Sequence, residues 1–298
     1  MQVAVLVNER SGRGRAQALA SAVHAAVEAR GGSVRRPGLD CSDGDFREAL
    51  LGCAAAVVVG GDGTVRSVAA RLAGCGSGVP LAIAPVGTEN LAAREFGFRA
   101  DSPVLIDAIA RGRVRRVDLG MARSTAGAGH AFLVMLSAGL DADVVHDLDS
   151  RRRGPIRHWA YLPPILRAAV RWRPPAVRAV DAAGGRGPAG RGQVVVANAR
   201  QYALRLDPVR RADPGDGALD LAVLEAGGCW SLVGWAMRLA LVRGIDGGPA
   251  ATRSPRWTLR FDRPVLLQAD GDPVPFGPVD AVEVAVLPGA VAVVDTRA

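Results

Sequence analysis

Gly60-Gly61-Asp62-Gly63-Thr64 is a run suited to holding an anion. Its three glycines bring backbone N–H groups close to a ligand with no Cβ in the way, and Thr64 adds a hydroxyl donor. The run follows Ala54–Val59, an apolar β-branched stretch that reads as a buried strand. Where a parallel strand feeds a helix N-terminus, unpaired N–H groups and the positive helix end attract phosphate. Asp62 cannot supply that attraction, so its role is to hold a magnesium-bound water or to fix the loop. A second loop, Pro85-Val86-Gly87-Thr88-Glu89-Asn90, follows another apolar run at Val79–Ala84. Two such loops at one sheet edge specify a phosphate site far better than either alone. Carboxylates come later, at Asp216-Gly217 and Asp270-Gly271-Asp272, which by themselves read as ordinary β-turns.

The elements that must carry these loops alternate. A strand at Val3–Val7 leads into Asn8-Glu9-Arg10-Ser11-Gly12 and a helix at Ala16–Ala29. Strands near Ser33–Arg35, at Ala55–Val59 and at Val79–Ala84 are separated by helices at Phe46–Leu51 and Val65–Leu72. Helices through Phe96 and at Val104–Ala110 follow. This order predicts a mostly parallel sheet with helices on both faces. From Val117 onward the pattern turns to short β-rich runs: His130–Ser137, Gly192–Ala197, Leu219–Leu224, Trp257–Phe261, Pro264–Gln268, Ala281–Val286 and Ala290–Val294. Residues 1–118 are thus expected to form an α/β domain and 119–298 a β-rich one, the last residues returning to the first. Ala182–Arg191 reads as a hairpin loop, and helices interrupt at Trp159–Trp172 and Trp230–Arg243.

Composition removes several chemistries. The 298 residues carry a net charge of +8, yet every base is arginine. With no lysine, a P-loop lysine, a Schiff base and a protein-kinase strand lysine are all excluded. Cys41, Cys53, Cys75 and Cys229 form no CxxC pair, and the four histidines have no zinc spacing. The arginines are scattered and no recognition module accompanies them, which argues against a nucleic-acid binder. No signal peptide and no membrane-spanning run are read, so a cytoplasmic protein, with peripheral contact at the inner membrane face, is expected. The basic, aromatic stretch Arg151–Leu162 fits either a solvated face or an anionic membrane contact. The apolar segment from Trp230 to Leu241 is expected in the core.

Taken together and in order, the motifs resemble the diacylglycerol kinase catalytic family, the bacterial lipid kinases related to sphingosine kinases. The matching pieces are Asn8–Gly12, Gly60–Val65, Pro85–Asn90, Asp118-Leu119-Gly120, Ala138–Ala142, Asp216–Asp220 and Asp270–Asp272, collinear over nearly the whole chain. The resemblance implies an ATP- and Mg²⁺-dependent kinase for diacylglycerol or a related lipid, with a C-terminal β-sandwich and the headgroup entering between domains. It implies ATP at Asn8, Ser11, Gly12, Gly60, Gly61, Asp62, Gly63, Thr64, Val65, Arg66, Thr88 and Asn90. It implies Mg²⁺ at Asp216 with the carbonyls of Asp213 and Ala218, and a proton acceptor at Asp272 where the family has glutamate. Arg66, Ser67 and Glu89 depart from the family pattern, as does Ala203-Leu204-Arg205 where glycine is usual. The alternatives are a weakly catalytic nucleotide- or lipid-binding protein, or another GGDGT-type kinase such as NAD kinase.

Overall fold

The computed structural model describes residues 1–151, 172–241 and 250–297. Most of the basic stretch after Arg151 therefore lies outside the described residues, as do residues 242–249. The chain divides into two compact units, Met1–Val117 with Gly289–Ala298, and Asp118–Pro288.

In the first unit, β1 (Gln2–Val7) leads through a 3₁₀ turn to α1 (Arg15–Glu28), then β2 (Ser33–Arg35), α2 (Asp43–Leu50), β3 (Ala55–Gly60) and α3 (Asp62–Gly74). β4 (Leu81–Pro85), α4 (Leu91–Phe96) and α5 (Ser102–Arg111) complete the series. The strands are parallel in the order β2-β1-β3-β4, with Val3 opposite Val34, Val5 opposite Val57 and Val57 opposite Ala82. All six residues of β3 are buried, as a parallel strand covered on both faces requires. Helix α1 buries Ala16, Ala20, Val23 and Val27, one stripe at helical spacing. Ser42 and Asp101 cap α2 and α5 by accepting the N–H groups of Asp45 and Val104. Helix α3 starts at Asp62, three residues before the helix expected from hydropathy, because the glycine loop forms its first turn.

The second unit is strand-rich: β5 (Val114–Ser124, entering from the first unit), β6 (Gly129–Phe132), β7 (Met135–Ala138), α6 (Leu140–Ser150), β8 (Ala176–Asp181) and β9 (Arg186–Ala197). β10 (Leu219–Glu225), α7 (Cys229–Leu241), β11 (Ala251–Ser254), β12 (Arg256–Val265), β13 (Leu267–Ala269), β14 (Asp272–Pro273) and β15 (Val279–Val294) follow. One antiparallel sheet runs β14-β13-β7-β9-β10-β11. Another runs β9-β8-β12-β15 and shares β9, whose first half faces β8 and whose second half faces β7 and β10. Val194, Val196, Leu219, Leu221, Trp257 and Leu259 from both sheets meet in one buried cluster, the packing of a β-sandwich. Trp257 is fully buried, and its indole N–H donates to the Leu219 carbonyl at 3.0 Å, tying β12 to β10.

Three expectations change. Most of Ala182–Arg191 is strand, so β9 starts at Arg186 and the turn is shorter than expected. The runs on either side of Pro288-Gly289 belong to a single strand, β15, whose far end puts Val293 parallel to Leu81 of β4 in the first unit. Helix α7 is not a core helix: among its described residues only Leu239 is buried.

Candidate active site

The first unit gathers three loops at the carboxyl ends of β1, β3 and β4. Asn8 donates its amide to Thr64 Oγ1 at 2.8 Å, while its backbone N–H donates to the Val59 carbonyl. Its own carbonyl accepts from Ser11 N–H, and its side-chain oxygen from Arg10 N–H. Asn8 thus folds the first loop and joins it to the second. Gly12 has φ +66°, and a Cβ there would lie 2.8 Å from the Val86 carbonyl oxygen. A Cβ on Gly87 would meet Gly61 Cα at 2.9 Å and Asn90 Oδ1 at 2.7 Å. The loops touch backbone to backbone, and glycine is what permits it.

The third loop closes on itself. Gly87 N–H donates to Asn90 Oδ1 at 2.8 Å, and Asn90 Nδ2 returns a bond to the Gly87 carbonyl at 3.0 Å. Asp62 Oδ1 accepts the Ala92 N–H at 3.0 Å, in the first turn of α4, so it fixes one loop against the next helix. Glu89 pairs with Arg94 at 3.7 Å, which offsets its charge beside the loops. Thr88 is exposed, whereas Thr64 and Val65 are buried within α3. Val65 gives its N–H to the Gly61 carbonyl and buries its side chain, so neither is presented at the loop surface.

The second unit carries the acids. Asp216 Oδ1 accepts the Ala218 N–H at 3.0 Å, and Oδ2 pairs with Arg253 at 3.0 Å. Arg253 also reaches Asp220 at 3.4 Å. Burial first, against the lowering pull of Arg253, leaves the Asp220 carboxyl above its ordinary pKa. Asp118 holds the same turn, accepting the Gly217 N–H at 2.8 Å and donating its own N–H to Pro214. Among the described residues, no three His, Cys, Asp or Glu side chains converge to hold a metal ion. The carboxylates of Asp216 and Asp220 share the Arg253 guanidinium, so a hard divalent cation at this turn would take the place that Arg253 holds.

Asp272 opens β14 directly after a rigid turn. Asp270, at φ +52°, accepts N–H groups from Leu133 at 2.7 Å and from Val134 and Met135 at 2.9 Å. That diversion of N–H groups is why the expected strand His130–Ser137 is broken into β6 and β7. Gln268 Oε1 accepts the Gly271 N–H at 2.9 Å, and its amide donates to Ser137 and Asp141. Asp141 further accepts from Ser137, Tyr202 and Gln193 at 2.5–2.6 Å. Burial, then the adjacent Asp141 carboxylate, pushes the Tyr202 phenol well above its usual pKa. Gln268 and Gln193 had no signal in the sequence, since their partners are distant along the chain. Asp141 stood inside a matched motif without an evident role.

Residues 2–122 match the family model of the diacylglycerol kinase catalytic domain. A diacylglycerol kinase of Mycobacterium tuberculosis is 31% identical over 241 residues, spanning 76% of this chain and 74% of that protein. The crystal structure of a diacylglycerol kinase from Bacillus anthracis Sterne aligns with a TM-score of 0.71 at 19% identity, covering 99% of this chain and 96% of that one. A second structure from the same organism gives 0.74 at 17% identity, covering 99% and 95%. The two structural likenesses speak to the fold, and the closer sequence relative carries the activity class. The chain belongs to the diacylglycerol kinase family and is a lipid kinase.

Proposed function

We propose that this lipid kinase moves the terminal phosphoryl group of ATP, with Mg²⁺, to a free hydroxyl of diacylglycerol or a closely related lipid. The observation that carries the reading is the three-loop contact of Asn8, Gly12, Thr64 and Gly87, a backbone cradle for phosphates. In this reading residues 1–118 bind the nucleotide and 119–298 the lipid. Asn8, Ser11, Gly12, Gly60 to Thr64, Arg66, Thr88 and Asn90 surround the phosphates, chiefly through N–H and hydroxyl donors, while Val65, buried and with its N–H used inside α3, only packs the helix beneath them. Asp216, with the carbonyls of Asp213 and Ala218, would hold Mg²⁺, which supplies neutralisation of phosphate charge. Asp272 takes the proton from the lipid hydroxyl as its oxygen bonds to the γ-phosphorus and the bridging oxygen leaves with ADP. Its carboxylate is one methylene shorter than the family's glutamate, so the rigidity of the Asp270–Gly271 turn matters to its reach.

The test is turnover of labelled ATP by purified protein on a whole-lipid extract, with mass spectrometry of the product. Phosphatidic acid or a similar phospholipid is expected, lost with EDTA and restored by Mg²⁺. Asp272→Asn should abolish lipid phosphorylation and keep ATP binding by calorimetry. Near-normal turnover by that variant refutes the role of Asp272, and label on NAD supplied in a parallel assay, with none on lipid, refutes the acceptor.

A further inference from the structure

Helix α7 turns an apolar face to solvent. Trp230 is 86% exposed, Leu241 81%, Met237 60% and Val233 41%. At positions i, i+3, i+7 and i+11 these four lie along one side of the helix. The other side is already used: Leu239 is buried, and the Trp235 indole N–H donates to the Glu225 carbonyl at 3.0 Å. Ser231 and Arg238 are the polar side chains in a helix that is otherwise apolar around its circumference. Such a helix belongs in a core or in lipid, and exposed patches of this kind mark an interaction surface. Its 13 described residues are fewer than the about 20 that a bilayer span takes.

Charge selects the occupant. Between Glu225 and Asp246 the sequence has Arg238 and Arg243 and no acid. A cationic, apolar, Trp-bearing helix suits an anionic lipid interface, where its apolar face enters the headgroup–acyl boundary. The acceptor of a lipid kinase lies in such a surface. We propose that α7 docks the enzyme on anionic phospholipid bilayers, with Trp230, Met237 and Leu241 entering the interface and Arg238 meeting lipid phosphate. The choice of a bilayer rests on the reading of the chain as a lipid kinase.

The experiment is co-sedimentation with vesicles of phosphatidylcholine, alone or mixed with phosphatidylglycerol, using wild type and the triple variant Trp230→Ser, Met237→Ser, Leu241→Ser. These side chains are exposed, so the variant should melt with the wild type. Wild type should pellet with the anionic vesicles, the triple variant at least roughly tenfold more weakly and Arg238→Gln roughly fivefold more weakly. Equal binding by wild type and triple variant overturns the proposal, as does wild type that binds neither vesicle. A wild-type dimer in light scattering, lost in the triple variant with no change at vesicles, overturns it in favour of a second copy of the chain. Turnover of monomeric short-chain diacylglycerol should survive in the triple variant. Wild type that binds vesicles yet phosphorylates no such substrate sustains the docking and refutes the acceptor reading.

Discussion

Asp270→Asn puts the rigid turn before Asp272 to the test. Asp270 is 4% exposed and uses both carboxylate oxygens, Oδ2 for Leu133 N–H and Oδ1 for those of Val134 and Met135. Asparagine keeps the shape and tolerates the left-handed backbone, so conformation is not a confounder. It replaces one oxygen with NH₂, which sets donor against donor at one or more of the three N–H groups. A charge-assisted bond contributes about 1.5–3 kcal/mol, and a buried N–H left without an acceptor costs about 1–3 kcal/mol. The bonds that remain fall to neutral strength, so a net loss of about 3–4 kcal/mol is expected. For a unit of this size each kcal/mol shifts the midpoint by about 2–4 °C, which predicts a fall of roughly 10 °C. Calorimetry gives the midpoint, and hydrogen exchange at Leu133, Val134 and Met135 localises the change. A midpoint within about 2 °C of wild type, with those amides still protected, refutes the reasoning.

Two further outcomes are expected. Gly87→Ala drives a methyl against Gly61 Cα at 2.9 Å, costs about 1–3 kcal/mol and should weaken ATP binding at least roughly tenfold by calorimetry; unchanged affinity means the loops need not touch. Asp143 is raised by burial, lowered by Arg263, raised by Asp141 and lowered by His146, with a net rise. The folded state therefore holds its proton to higher pH than the unfolded chain, and stability declines as pH climbs from the ordinary carboxylate range through the raised value. Asp143→Asn should melt above wild type at neutral pH, with the gain gone near about pH 3, where both states are protonated. A variant that melts lower at neutral pH counts against this sign.

The parallel sheet was legible because β1, β3 and β4 are buried on both faces and read as continuous apolar runs. The phosphate loops were legible because glycine spacing records close backbone approach locally. What eluded the sequence lies in side-chain bonds between distant residues. Asp270 resembled an ordinary turn acid, yet it reaches back 135–137 positions and interrupts a strand that hydropathy ran together. Pro288-Gly289 stood between two runs read as separate strands, whereas β15 continues through it. Trp230, Met237 and Leu241 resembled core residues because apolarity alone does not say which side of a helix has a partner.

The parallel pairing of Val293 with Leu81 has a consequence for biosynthesis. During translation β4 is made early, but the neighbour that flanks it emerges only after the whole second unit. At about 5–20 residues per second, that leaves β4 an unprotected edge for roughly 10–40 s on the ribosome. Nascent chains stalled within the second unit should accordingly recruit holding chaperones, and release of the final strand should end that dependence.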